Sequence, residues 1–213
     1  MIVLSTLALK GVLEKLRPPG TLHFDSTQAL LKRLAAGERA DVLILTTEAM
    51  DDLRSKGRVT DVRPVGSSGV GVAVRAGAPK PDISTPEAFL RTLLRAASVA
   101  HSKSGASGIY FSGILQTAKI ADRLKKRVIV EKGPVGLVVA RGEAELGVQM
   151  LCELAPVPGI DIVGPLPGRL QVQTHFSAGI ATDAADPEGA RALLDVLRSD
   201  AAQRAMLEGG MQP

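Results

Sequence analysis

Before Gly57 the chain three times runs a short apolar strand into a hydroxyl-bearing pair and then into a helix. Ile2-Val3-Leu4 lead to Ser5-Thr6, after which Leu9, Val12, Leu13 and Leu16 recur at helical spacing until Pro18-Pro19-Gly20 end the helix. Thr21 to Phe24 lead to Asp25-Ser26-Thr27, the residues of a helix N-cap. Leu30, Leu31 and Leu34 then line one face up to Gly37. Asp41-Val42-Leu43-Ile44-Leu45 is wholly apolar after its first residue, as a central parallel strand buried on both faces requires, and Thr46-Thr47-Glu48 cap the helix that carries Met50 and Leu53. Strand, cap and helix in this rhythm specify an open α/β sheet, in which ligands lie beyond the carboxyl ends of the strands.

The hydroxyl pairs all fall at that edge. Each alone is explained as a helix cap; together they make a hydroxyl-lined rim whose helix N-termini supply positive potential without a fixed charge. A second stretch has the same character. Ser104-Gly105-Ala106-Ser107-Gly108-Ile109-Tyr110-Phe111 follows the strand-like run Ser98 to His101 and precedes a helix expected from Ser112 onward. Small residues let backbone approach a ligand closely, and the following helix points free N–H groups at it; the plainer reading is a turn with a cap.

The rhythm breaks at Gly66 to Arg75, where Gly69 to Val74 is a glycine-alternating strand, followed by the turn-rich Ala76 to Pro81. Ser84-Thr85-Pro86-Glu87 then opens a new α/β unit with an N-cap, a proline in the first helical turn and an acid. It holds a helix from Pro86 to Leu94, strands at Ser98 to His101 and Arg127 to Val130, and a helix after Gly133-Pro134-Val135-Gly136. Strands at Glu145 to Met150 and Asp161 to Gly164 follow. The apolar run Phe176 to Ala181 returns, and two helices, Pro187 to Leu197 and Ala201 to Leu207, close the chain. This order allows two α/β lobes joined by two crossing strands, lobe 1 comprising 1–74 plus 177–213 and lobe 2 comprising 75–176.

Composition narrows the function classes. With one Tyr, four Phe and no Trp, the core is aliphatic, which suits buried parallel strands under helices. The net charge of +4 favours anionic partners. Nucleic acid is not expected, because the basic residues are scattered and no aromatic side chain is interleaved with them; the one run, Lys125-Lys126-Arg127, reads as a solvated helix end. The single Cys152 excludes an internal disulfide and a cysteine-ligated metal, and neither a metal nor a cofactor is expected. No apolar run reaches the roughly 18 residues that cross a bilayer, so membrane insertion is not expected. The start Met1-Ile2-Val3-Leu4 carries no basic leader or cleavage site and reads as cytoplasmic; a chain whose signal peptide had been replaced by Met reads the same and is periplasmic.

In the order of its segments the chain resembles the type II periplasmic-binding-protein fold, and is similar to the molybdate-binding and related extracellular solute-binding proteins of ABC transporters. The carriers are Ser26-Thr27-Gln28-Ala29-Leu30, Gly37 to Ile44, Gly105 to Tyr110, Ala140 to Gly147, Val163-Gly164-Pro165-Leu166-Pro167 and Asp186 to Arg191. The resemblance implies two lobes that close on a small oxyanion held by hydroxyls and backbone N–H groups. It places Ser26, Thr27, Ser107 and Gly108 at the ligand, with Gly133 and Pro134 near a fourth contact. Ala8 stands where the family presents a serine, leaving Ser5 or Thr6 as substitutes, and His175-Phe176 stands where molybdate binders present a tyrosine.

Two functions follow as expectations. One is a solute-binding protein for a small anion, oxyanion or carboxylate, with an ABC permease as partner if exported. The other is a cytoplasmic enzyme of the same fold, an isomerase, tautomerase or hydrolase of a small organic acid. Its cleft would stabilise an enolate, with His175, or else His101, as base and Tyr110 as acid.

Overall fold

The computed structural model describes residues 1–213. In chain order the elements are β1 (Ile2–Thr6), a 3-10 turn (Leu7–Leu9), α1 (Lys10–Leu16), β2 (Thr21–Asp25), α2 (Thr27–Ala35), β3 (Val42–Thr46), α3 (Thr47–Ser55) and β4 (Val59–Arg75). Then come α4 (Pro86–Arg95), β5 (Val99–Ser102), α5 (Ala106–Thr117), β6 (Arg127–Val130), α6 (Val135–Ala140), β7 (Leu146–Met150) and α7 (Leu151–Leu154). The chain ends with β8 (Ile160–Pro165), a 3-10 turn (Gly168–Leu170), β9 (Gln173–Ala181), α8 (Pro187–Val196) and α9 (Asp200–Glu208). It packs as two units, Met1–Ser68 with Thr174–Pro213, and Gly69–Gln173. The chain passes between them within β4 and again at the start of β9.

In the first unit β1 pairs in parallel with β2 and with β3, and β3 pairs antiparallel with β9. The three parallel strands therefore end at one edge, where the helices that follow them begin. Leu4, Leu30, Leu43, Leu45 and Met50 are buried together between sheet and helices. Asp41 is buried at the opposite end, accepting hydrogen bonds from the backbone N–H of Ile2 at 2.6 Å and of Asp186 at 2.9 Å. Burial works to raise its pKa, but these donors and that of Ala185 outweigh it and hold the carboxyl below the usual carboxylate range.

In the second unit β4 pairs antiparallel with β7 and β8, and β5 pairs in parallel with β6 and β7. Phe89 of α4 and Phe111 of α5 meet at 6.4 Å between ring centroids within an otherwise aliphatic core. Thr85 caps α4 by accepting from the Ala88 N–H at 3.1 Å, with Pro86 in the first turn, as its sequence predicts.

Two local expectations are corrected, and one element is unforeseen. Helix α5 starts at Ala106, not Ser112, so the small-residue stretch is itself the first turns of the helix. The run Lys125-Lys126-Arg127 is not a helix end but leads into β6, and the Lys125 ammonium donates to the Arg95 carbonyl at the end of α4 at 2.8 Å. Helix α7 has no counterpart in the sequence reading, because its single turn is too short to display a period.

Candidate functional site

In the first unit the strand ends gather hydroxyls. Ser5 is fully buried and its hydroxyl donates to the Thr6 carbonyl at 3.1 Å. Thr6, 4% exposed at the end of β1, has a buried Oγ1 with no hydrogen-bond partner. Ser26 caps α2, accepting from the Ala29 N–H at 3.3 Å. The Thr27 hydroxyl accepts from the Thr46 N–H at 3.4 Å, which ties the start of α2 to the end of β3. Thr47 shares a 2.9 Å hydrogen bond with Ser177 of β9, whose register opposite Leu45 brings it to the same edge. Ser177 lies in an apolar run, and only the antiparallel pairing reveals it as part of this group.

In the second unit β5, β6 and β7 also end at one edge. Helix α5 descends almost onto the end of β5: a Cβ on Gly108 would lie 1.9 Å from the Ser102 carbonyl oxygen, and one on Gly105 would lie 2.7 Å from the Ser102 hydroxyl. Glycine at 108 is thus a packing requirement. Ser107 is 2% exposed, no side chain caps the first turn of α5, and the Ser102 hydroxyl beneath it is buried without a partner. An uncapped helix start above an unsatisfied hydroxyl favours an anion.

The adjacent helix α6 is organised differently. Gly133 has φ +86°, a turn conformation that favours glycine, and Pro134 is the N-cap residue, supplying no side-chain bond. The Val135 N–H donates instead to the side-chain carbonyl of Gln149, at 2.8 Å. Gln149, 1% exposed on β7, donates through its amide nitrogen to the Glu153 carboxylate on α7. Glu153 keeps a partly open surface while most of it is enclosed, and burial pushes its carboxyl up to about 7 against the lowering effect of the Gln149 bond. Neither residue was singled out from sequence. Their i, i+4 spacing across a strand–helix junction has no periodic signature, although a glutamate next to a buried cysteine was a visible anomaly.

The candidate acid–base side chains stand as follows. His175 is exposed on β9. The Tyr110 hydroxyl donates to the Leu170 carbonyl at 3.1 Å, and its ring packs against the second unit's core. His101 is 2% exposed, edge-on to Phe111 at 5.3 Å, with Nδ1 3.0 Å from the Ser102 carbonyl and Nε2 unpartnered. Burial pushes its pKa down, so the ring is neutral at pH 7. No group of three or more His, Cys, Asp or Glu side chains is placed to hold a metal ion. No helix is long and apolar enough to cross a membrane.

Residues 20–212 match the family described as bacterial extracellular solute-binding protein. The chain belongs to that family. The chain is also 47% identical, over 193 residues, to a protein of Pseudomonas sp. named aconitate isomerase; the match covers 89% of this chain and 73% of that one. Among solved structures, the periplasmic molybdate-binding protein of Azotobacter vinelandii superposes with a TM-score of 0.77 at 16% identity, covering 100% of this chain and 99% of the other. The sulfate-binding protein SubI of Mycobacterium tuberculosis gives 0.73 at 15% identity, covering 100% and 86%. At such identities the likeness concerns the fold. It is the type II periplasmic-binding-protein fold expected from the order of segments.

Proposed function

We propose that this protein is an isomerase of a small unsaturated polycarboxylate of the aconitate type, which uses a solute-binding fold to hold the substrate's carboxylates. The observation that carries the reading is the 47% identity to the Pseudomonas protein named aconitate isomerase, sustained over 89% of the chain. The local chemistry supports it. Thr6 and Ser102 each bury a hydroxyl that finds no partner within the protein, and each lies at the edge where its unit's parallel strands end. A buried donor without an acceptor costs about 1–3 kcal/mol, and a carboxylate oxygen would recover it. Hydroxyls and uncapped helix N–H groups suit an acid with several carboxylates, because they hydrogen-bond carboxylate oxygens and turn partial positive charge towards them.

The carboxylate-binding residues proposed for this reaction are Thr6, Ser26 and Thr27 in the first unit and Ser107 and the Gly133-Pro134 turn in the second. Isomerisation then needs one proton moved. A base takes a proton from the methylene carbon of the substrate, and the C–H electron pair spreads over the three-carbon allyl unit and its carboxylates. Delivery of a proton, exchanged with solvent on the base, to the far allylic carbon places the double bond on the other side of the central carbon. The step balances without oxidant, reductant or cofactor. Calorimetric titration with cis- and trans-aconitate, molybdate and sulfate tests the substrate class. Binding of the aconitates with Kd at least tenfold below that of either inorganic oxyanion is expected, and the reverse order refutes it.

The second reading is a solute receptor without catalysis. The family match over residues 20–212 and the fold shared with molybdate- and sulfate-binding proteins favour it. A permease would be its partner, and it predicts tight oxyanion binding with no turnover of aconitate.

A further inference from the structure

A carboxylic acid enclosed without a cation is costly to ionise, and proteins generally pair such groups or place them where their proton is used. Glu153 is a case of this kind. The elements that chiefly pack against α7 bring it no charge: β7 reads Leu-Gly-Val-Gln-Met and α6 reads Val-Gly-Leu-Val-Val-Ala. On α7 itself its neighbours are Leu151, Cys152 and Leu154. Its hydrogen-bond partner is the Gln149 amide, whose carbonyl is committed to the Val135 N–H. This bridge fixes the carboxyl beside the Gly133-Pro134 turn, at the edge where β5, β6 and β7 end, and leaves part of it open.

Resting on the isomerase reading above, we propose that Glu153 is the acid–base residue that takes a proton from the substrate's methylene carbon, exchanges it with solvent through its open part, and delivers a proton to the far allylic carbon, with Gln149 as the positioning residue that aims it. One carboxyl can serve both ends because the deprotonated allyl unit carries a carboxylate on each of its three carbons, so that proton removal and return are the same step in opposite senses. The Glu153 environment matches that task. Burial lifts its affinity for a proton towards that of a base poised near neutral pH. His101 is less suited, because its ring faces Phe111 in the core.

The test uses the full chain and cis-aconitate in deuterated water, with deuterium entry into the methylene group and appearance of the trans isomer followed by proton NMR. Glu153→Gln is expected to lose both signals by roughly 10²–10⁴-fold while its calorimetric Kd for trans-aconitate stays within about threefold of wild type. Exchange within about threefold of wild type overturns the assignment, as does a loss of binding that accounts for the whole loss of exchange. Should Glu153→Gln not fold, the pH profile decides. The wild-type kcat/KM rises up to about pH 7 and then levels, and Gln149→Leu, which removes the bond that lowers the Glu153 pKa, moves that limb upward. An unmoved limb overturns the assignment, because ionisations of the substrate are common to both proteins. A wild type that binds aconitate but neither exchanges nor isomerises it refutes the isomerase reading itself, before any variant is considered, and this inference falls with it.

Discussion

The same substitution at two glycines of one helix is expected to act in opposite directions. Gly108 and Gly113 both lie within α5, where alanine is intrinsically favoured over glycine by about 0.5–1 kcal/mol. At Gly113 an added Cβ meets nothing within 4 Å, so Gly113→Ala should collect that gain. At Gly108 the added carbon would sit 1.9 Å from the Ser102 carbonyl oxygen, whereas a tolerable C···O approach is about 3.3 Å, so helix and strand must part by roughly 1.4 Å. The oxygen belongs to backbone held in register with Val130 of β6 and cannot swing away. Overpacking of this kind costs about 1–3 kcal/mol, more than the helical gain. For a chain of this size each kcal/mol moves Tm by about 2–4 °C. Net of that gain, Gly108→Ala is therefore expected to melt up to about 10 °C lower, and Gly113→Ala about 1–4 °C higher, by circular dichroism. Gly108→Ala should also weaken anion affinity, since the first turn of α5 rides on this contact. Equal melting temperatures for the two variants would refute the argument that glycine at 108 exists for close approach.

Asp41→Asn should destabilise the protein by about 1.5–3 kcal/mol at pH 7, because two backbone donors lose a charged acceptor. The Asp41 pKa is lowered by folding, so its contribution is present above the unfolded value of about 3.9 and fades as pH falls through the folded one; urea unfolding at pH 7 and in acid should show the difference narrowing. Glu153 has the opposite sign. Its folded pKa is raised to about 7, so the native state holds the extra proton and wild-type stability should fall by up to about 3 kcal/mol between about pH 4.5 and 7. Glu153→Gln should flatten that fall and be the more stable protein at pH 8, read by the same unfolding experiment. Ser26→Ala should cost about 1 kcal/mol through the lost cap of α2 and raise the Kd for trans-aconitate, whereas Tyr110→Phe should cost about 1 kcal/mol and leave proton exchange largely intact, its hydroxyl being committed to Leu170.

What was legible in the chain was whatever repeats or caps. The apolar run Val42 to Leu45, the caps at Ser26 and Thr85 and the prolines at 86 and 187 each have a local cause, and each appears where that cause puts it. The start of α5 was misplaced because two glycines and two serines read as a turn; their smallness answers instead to a strand end nearly in contact with the helix, which is a tertiary demand. Ser177 and the Gln149–Glu153 pair were invisible for a related reason. Antiparallel pairing carries Ser177 to Thr47, and the fold of α7 back beside α6 gives Gln149 its two partners. The hydroxyl rim of the first unit was readable as a class of residue at a class of position, while the proton-holding group was not.

The central claim is that this fold turns over an unsaturated polycarboxylate rather than only holding it. The most direct measurement is proton NMR of cis-aconitate incubated with the purified full chain in deuterated water. The account predicts growth of trans-aconitate to equilibrium, with deuterium in the methylene group of both isomers. Unchanged, fully protonated cis-aconitate after prolonged incubation, with the protein still folded and saturable by the same acid, would contradict it and leave a receptor.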